Sequence, residues 1–344
     1  LSCTPLFMAA EKDHAECVSL LLEAGADVNN DSSEEFWMPL MTAANNGHDK
    51  CIPLLLKAGA DVHHTDTNGY TSLCRAIEKG HRECVALLLE GGSDVHHITE
   101  GVNPHRYTPL LLAIGNGHDK CIPLLLEAGA DVHTVQDGTT PLLSAAFNGK
   151  AKCSSILIEA GADVNKYMDS TIGGTPLFMA AAMGHHECIS ILLKSGADVH
   201  IFLNVGVQCR SLIVCCVREE GKSRAINGRC FTISIDYSVF VSLSSKENGY
   251  TPLLVAAQEG HAECVQLLLK AGAGIHHNKH SARDLAVDGK KSQWRKVVKL
   301  LDAHTVSEWV NWRVRKRQSN FLLRSYLVFL LYLWMCALID FVLI

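Results

Sequence analysis

An all-α repeat solenoid of helix-turn-helix units is the fold class this sequence predicts, and two recurrences carry the prediction. A Thr-Pro-Leu phrase returns with its proline at positions 5, 39, 109, 141, 176 and 252; Met38 replaces the threonine once, and Ser72 holds the proline slot of the third phrase. A Gly-Ala-Asp-Val phrase returns, with minor variation, from Gly25, Gly59, Gly92, Gly129, Gly161, Gly196 and Gly272. Both advance by the same steps of 34, 33, 37, 32, 35 and 76 residues, so both mark one unit of about 33 residues. The last step exceeds the period by roughly 43 residues, which places a single insertion there.

The fourth unit shows how each element arises. Thr108 is suited to cap a helix, and Pro109 to the first helical position, where a missing N–H costs nothing. Leu110, Ala113 and Ile114 recur at helical spacing, and Gly117 ends this short helix. His118 opens a second helix whose Cys121, Ile122, Leu124, Leu125 and Leu126 form a broad apolar face that Gly129 terminates. Asp131-Val132 then starts an extended turn into the next unit. So short a helix pair cannot bury its leucines alone. It needs a neighbour on each side, which makes the array one continuous core.

The ordered phrases Thr-Pro-Leu, Gly-His, Leu-Leu-Leu and Gly-Ala-Asp-Val closely resemble the ankyrin repeat. Seven clear units run from Thr4 to Ile275, and a degenerate eighth covers Ser281–His304; the resemblance extends over roughly 250 of the 344 residues. It implies units joined by β-hairpin fingers. Three departures stand out. Pro53 and Pro123 fall near the start of second helices, Asp13 replaces a helix-ending glycine, and Lys150 replaces the usual histidine of the fifth unit.

The resemblance further implies a non-catalytic protein-binding array, whose contact positions are the finger residues before Thr-Pro-Leu and the pair after Ala-Ala. In the second unit these are Trp37, Asn45 and Asn46; in the third, Thr67, Asn68, Tyr70, Glu78 and Lys79. Tyr107 and Asn116 serve in the fourth, and Gln136, Asp137, Thr139, Phe147 and Asn148 in the fifth. The seventh supplies Glu247, Asn248, Tyr250, Gln258 and Glu259. Aromatic side chains among polar neighbours suit an interface.

No catalytic constellation is present: the chain has no Gly-x-Ser-x-Gly, no phosphate-binding loop and no His-Glu-x-x-His. Six units carry His-x-x-Cys, at His14/Cys17, His48/Cys51, His81/Cys84, His118/Cys121, His185/Cys188 and His261/Cys264. A zinc site needs three or four ligands about 2.0–2.3 Å from one ion. Each unit offers two, and adjacent units stand about 10 Å apart, a helix diameter. The expected role is structural, with Cys in a small buried slot and His tying the loop to the helix start. The finger pairs His63-His64, His96-His97 and His276-His277 stand where Asn29 and Asn165 keep the family's usual residue. Seven of the fourteen cysteines share one repeat offset, too far apart to pair, which points to reduced thiols and a cytosolic or nuclear compartment. No cofactor, metal, nucleic acid or small-molecule substrate is expected.

Two segments leave the repeat pattern. Residues 201–247 interrupt the array with β-prone runs and four cysteines, Cys209, Cys215, Cys216 and Cys230. An elongated hairpin finger and translated non-coding sequence explain them equally well. The tail 325–344 carries only Asp340, and twenty helical residues span about 30 Å, the thickness of a hydrocarbon core. Arg313, Arg315, Lys316, Arg317 and Arg324 precede it in a basic neck over 305–324, and Trp309, Trp312 and Trp334 are placed as interfacial anchors.

Charge follows the same division. The chain has a net charge of −5; residues 279–324 carry +8, which leaves −12 on residues 1–278. The body excludes a globally basic nucleic-acid binder, and calls for a protein partner with a basic patch. The expected whole is therefore a scaffold of residues 4–304 facing the cytoplasm and tethered by 325–344. A soluble adaptor is the alternative. So is the regulatory part of a larger enzyme or channel, since Leu1 stands where an initiating Met would, and the first unit begins with no polar cap.

Overall fold

The structure is a computed structural model that describes residues 4–30, 37–99, 106–136, 138–167, 174–201, 250–277, 280–289 and 291–308, together with Arg313. Among the described residues seven helix pairs follow one another. The first helices are Pro5–Glu11, Pro39–Asn46, Ser72–Lys79, Pro109–Asn116, Pro141–Phe147, Pro176–Met183 and Pro252–Glu259. Their partners are Ala15–Glu23, Cys51–Lys57, Arg82–Glu90, Ile122–Glu127, Ala151–Glu159, His186–Lys194 and Ala262–Lys270. The degenerate eighth unit is a pair as well, Ala282–Gly289 followed by a helical stretch over 294–308.

Threonine starts the first helices as its chemistry dictates. The hydroxyls of Thr4, Thr71, Thr108, Thr140, Thr175 and Thr251 each accept the backbone N–H three residues on, at 3.2–3.4 Å. Met38 caps its helix with no side-chain bond. At the far end, Gly80 ends the third-unit helix in the left-handed region at φ 77°. Asp13 adopts φ 58°, the one non-glycine at positive φ among the described residues, so it performs the helix-ending task that its position implies. Pro53 and Pro123 shorten their second helices to 7 and 6 residues, against 9 in the other five. The helix start has moved so that each proline falls in the first turn, where no donor is lost. For this reason the fourth second helix begins at Ile122, after Cys121 rather than at His118.

Packing makes two unequal layers. The first helices stack side by side and are nearly enclosed; in Pro176–Met183 every residue but the last is buried. Second helices bury one stripe, such as Cys188, Ile189 and Leu192 in the sixth unit. The slot facing the neighbouring second helix is filled by Cys51, Cys84, Cys121, Cys153, Cys188 and Cys264, all buried. Cys17, with no preceding second helix among the described residues, is exposed. Burial pushes the thiols of Cys51, Cys121 and Cys153 up to about 11, and those of Cys84 and Cys264 up to about 12. They pack as small apolar groups, away from the thiolate form that reacts.

The histidines differ from expectation in what they tie. Five of the six reach back to the preceding unit instead of bracing their own helix starts. The Nε2–H groups of His48, His81, His118, His185 and His261 donate to the carbonyls of Glu11, Asn45, Glu78, Phe147 and Ala182, at 2.9–3.1 Å. These carbonyls lie at the ends of first helices, where no intrahelical donor remains. At His81, His118, His185 and His261 the ring fits because glycine lies beneath it: a Cβ on Gly80 would stand 2.5 Å from the His118 ring. Burial lowers the affinity of His185 and His261 for a second proton, in keeping with a neutral ring that donates from Nε2.

The described parts of the expected β-hairpin fingers are largely turns. Among the described residues, paired strands are limited to His276–His277 with His280–Ser281, beside isolated bridges such as that between Gln136 and Thr139. The carboxylates of Asp61, Asp94, Asp131 and Asp198 each accept the N–H two residues on, at 2.8 Å, so side chains take donors that a ladder would use. Stacking continues across the insertion: units six and seven pack first helix on first helix and second on second, and His261 bonds Ala182 across it. Residues 202–249, including all but the first residue of the expected insertion, lie outside the described residues. So do the tail 325–344 and, apart from 305–308 and Arg313, the basic neck. Among the described residues no helix is long and apolar enough to cross a membrane.

Candidate partner-binding face

The expected contact residues gather along finger ends and the last turns of first helices, and units two to four hold their densest cluster. The third finger is built first by Asp66. Its backbone N–H donates to the Tyr70 carbonyl at 3.0 Å, closing the turn. Its carboxylate accepts the N–H groups of Asn68 and Tyr70 at 2.8 and 3.0 Å. Thr67 is left exposed at the tip and Asn68 half-buried.

Arg75 then joins this finger to its neighbour. Its Nε donates to Asp66 Oδ2 at 2.8 Å, its Nη2 contacts the same oxygen, and its Nη1 donates to Glu78 Oε2 at 2.8 Å. The guanidinium lies over two rings, 4.6 Å from the Tyr70 centroid and 5.1 Å from that of Trp37 in the preceding unit. Burial opposes its charge, but the Asp66 and Glu78 carboxylates more than restore it, holding the group above its ordinary value. Burial, then Glu78, pushes the Tyr70 phenol up, so it stays protonated. Glu78 also faces Lys79 at 3.6 Å.

The fourth finger repeats the closure by another route. The Thr99 N–H donates to the Tyr107 carbonyl at 3.0 Å, and the Tyr107 N–H to the Thr99 hydroxyl at 2.9 Å. Trp37, Tyr70 and Tyr107 thus occupy one slot in three consecutive units, each half-buried. Beside them, Asn45 donates to Asn46, Asn46 reaches the Glu11 carbonyl, and Asn116 donates back to Leu112.

The remaining expected positions divide. Gln136 and Thr139 exchange backbone bonds of 3.0 and 2.9 Å around the fifth finger, and Asn148 donates to Ser144 at 2.9 Å. Phe147 is buried and packs in the core, one position past the Ala145-Ala146 pair. Tyr250 is a correction: the ring is 0% exposed and lies within the core cluster, so it supports the seventh unit from inside. Glu259 is buried too, with Lys291 of the eighth unit 3.6 Å away, while Gln258 is half-buried. Asp137, Glu247 and Asn248 lie outside the described residues.

Sequence reasoning missed Arg75 and Asp66. A signal was available. Arg75 fills a first-helix slot held elsewhere by Met8, Thr42, Leu112, Ser144, Met179 and Val255, and is the only charge among them.

Comparison with known proteins agrees with this architecture. A family profile for ankyrin repeats in sets of three copies matches residues 1–66, 40–136 and 110–202, and a single ankyrin repeat profile matches 248–280. The chain belongs to the ankyrin repeat family. The crystal structure of the human ASB11 ankyrin repeat domain is similar to it, at 26% identity and a TM-score of 0.51, covering 64% of this chain and 100% of that domain. No curated protein sequence matches the chain significantly.

Proposed function

We propose that this protein is a non-catalytic scaffold that binds a partner protein along its finger ends and first-helix faces, the side that is concave in repeat arrays of this kind. The Trp37–Arg75–Tyr70 stack carries the reading. Trp, Tyr and Arg are the residues enriched where interfaces concentrate their energy, and here ion pairs already hold them in place. Members of the family in general act through protein–protein contacts.

The proposal includes a tether. Residues 325–344 carry one charge, and their basic flank would keep the repeats on the cytoplasmic side of a bilayer. Asp340, fifteen residues beyond Ser325, would sit toward the far interface, away from the penalty of about 2.5–3.5 kcal/mol for a charge at the centre.

Two experiments test the parts separately. A photo-crosslinking residue at Asn116 should capture a partner from cells, whereas one at Lys152, exposed on a second helix, should not; the reverse pattern refutes the binding face. An alkaline carbonate wash should leave the chain in the membrane pellet, and Leu331→Asp should release it. Should the unaltered chain wash off, the protein is a soluble adaptor.

A further inference from the structure

The three aromatic fingers of units two to four set a repeat length for whatever lies across them. First helices of consecutive units pack side by side, and packed helix axes stand about 8–10 Å apart. A polyproline II chain rises about 3.1 Å per residue with three residues per turn, or about 9 Å per turn. One turn of such a ligand therefore matches one unit of the array.

Backbone chemistry favours that conformation over an added strand. A strand needs an open edge, but the third and fourth fingers close on themselves, Asp66 with Tyr70 and Thr99 with Tyr107. A β-strand laid here would find its backbone donors without partners, whereas polyproline II keeps its backbone hydrated. Aromatic-lined surfaces recognise that helix well because it is already ordered before binding.

Charge narrows the ligand further. Asp66 and Glu78 saturate Arg75, which is 9% exposed, so the cation that joins the two rings does not offer itself to a phosphate or an acidic side chain. The body around it carries −12. We propose that units two to four bind a basic polyproline II segment of the form Pro-x-x-Pro-x-x-Pro with Lys or Arg at intervening positions, one proline to each of Trp37, Tyr70 and Tyr107. Arg75 acts as a positioning residue that sets the spacing of the first two rings. This rests on the binding face proposed above and assigns its ligand class.

The test titrates the full chain in detergent with the synthetic peptide Pro-Lys-Leu-Pro-Arg-Leu-Pro, followed by fluorescence anisotropy. The peptide should bind, and a scramble with adjacent prolines, or a version with Glu for both basic residues, should bind at least about tenfold more weakly. Tyr107→Ala should weaken binding by about tenfold with unchanged helicity. If that variant loses helicity, Asn116→Arg replaces it and should weaken binding through like charge. Arg75→Lys should retain more binding than Arg75→Ala. No binding of the ordered peptide, equal binding of the scramble, or indifference to a well-folded fingertip variant overturns the proposal. If crosslinks still map to Asn116 in that event, the binding face stands and only its ligand class is wrong.

Discussion

Ser93 fills a slot that alanine holds in every other unit, at Ala26, Ala60, Ala130, Ala162, Ala197 and Ala273. Its backbone N–H donates to the Leu88 carbonyl at 3.0 Å, as the alanines do in their turns, but its hydroxyl is buried with no hydrogen-bond partner among the described residues. Removing an unpaired buried hydroxyl recovers its desolvation cost, about 1–3 kcal/mol, less the small packing lost with one atom. Ser93→Ala should therefore stabilise the array by roughly 1 kcal/mol, read as a higher urea midpoint at unchanged slope. A lowered midpoint would mean that the hydroxyl is bonded after all. Arg75 makes the opposite case. Taking it away strands the Asp66 carboxylate, whose side chain is 0% exposed, and breaking such a buried pair costs about 3–5 kcal/mol.

At the scale of elements, the third, fourth, sixth and seventh units are each fastened to the preceding unit by a histidine over a glycine, and this holds across the insertion. His261 donates to the Ala182 carbonyl at 3.1 Å, and a Cβ on Gly184 would stand 2.6 Å from its ring, just as at the uninterrupted junctions. Stability in such arrays is close to a sum of unit and nearest-neighbour terms. The coupling between units six and seven therefore resides in residues on either side of the inserted stretch. Excising the 43 residues 204–246 restores a finger of ordinary length, and melting temperature and cooperativity should stay close to those of the parent chain. A split transition or a large loss of melting temperature would show that the inserted residues carry the junction. Gly80→Ala should act the other way, since it meets both a left-handed backbone and the His118 ring.

For the whole molecule, charge is divided along the chain, −12 over residues 1–278 and +8 over 279–324. An acidic array attracts a basic partner from a distance and mainly speeds association, because contacts formed after docking depend less on salt. Association rates measured by stopped flow should fall steeply from low salt to about 1 M, where the screening length shrinks to about 3 Å. Dissociation rates should change much less. Salt-independent association would remove charge steering from the account. The same division sets the basic neck beside any anionic membrane surface reached by 325–344, so the body and the neck would serve different surfaces.

Much of this protein was legible one residue at a time. Thr-Pro at helix starts, glycine or Asp13 at helix ends, and the period of 33 residues express backbone chemistry that a neighbour does not alter. The unit, its helices and their stacking followed from the sequence by itself. Tertiary structure alone decided matters between units. Tyr70, Tyr107 and Tyr250 share one slot in the repeat, yet two stand half-buried at finger ends while the third is enclosed in the core, a difference that their common place in the repeat does not carry. The histidines likewise read as local braces until the fold showed their acceptors in the preceding unit, 36 to 79 residues away in the chain. Arg75 and Asp66 lie only 9 residues apart, but the Trp37 ring that completes their cluster comes from another repeat. Sequence determines a helix pair through interactions within a turn or two; a binding surface forms where repeats meet, and its geometry exists only once they are packed.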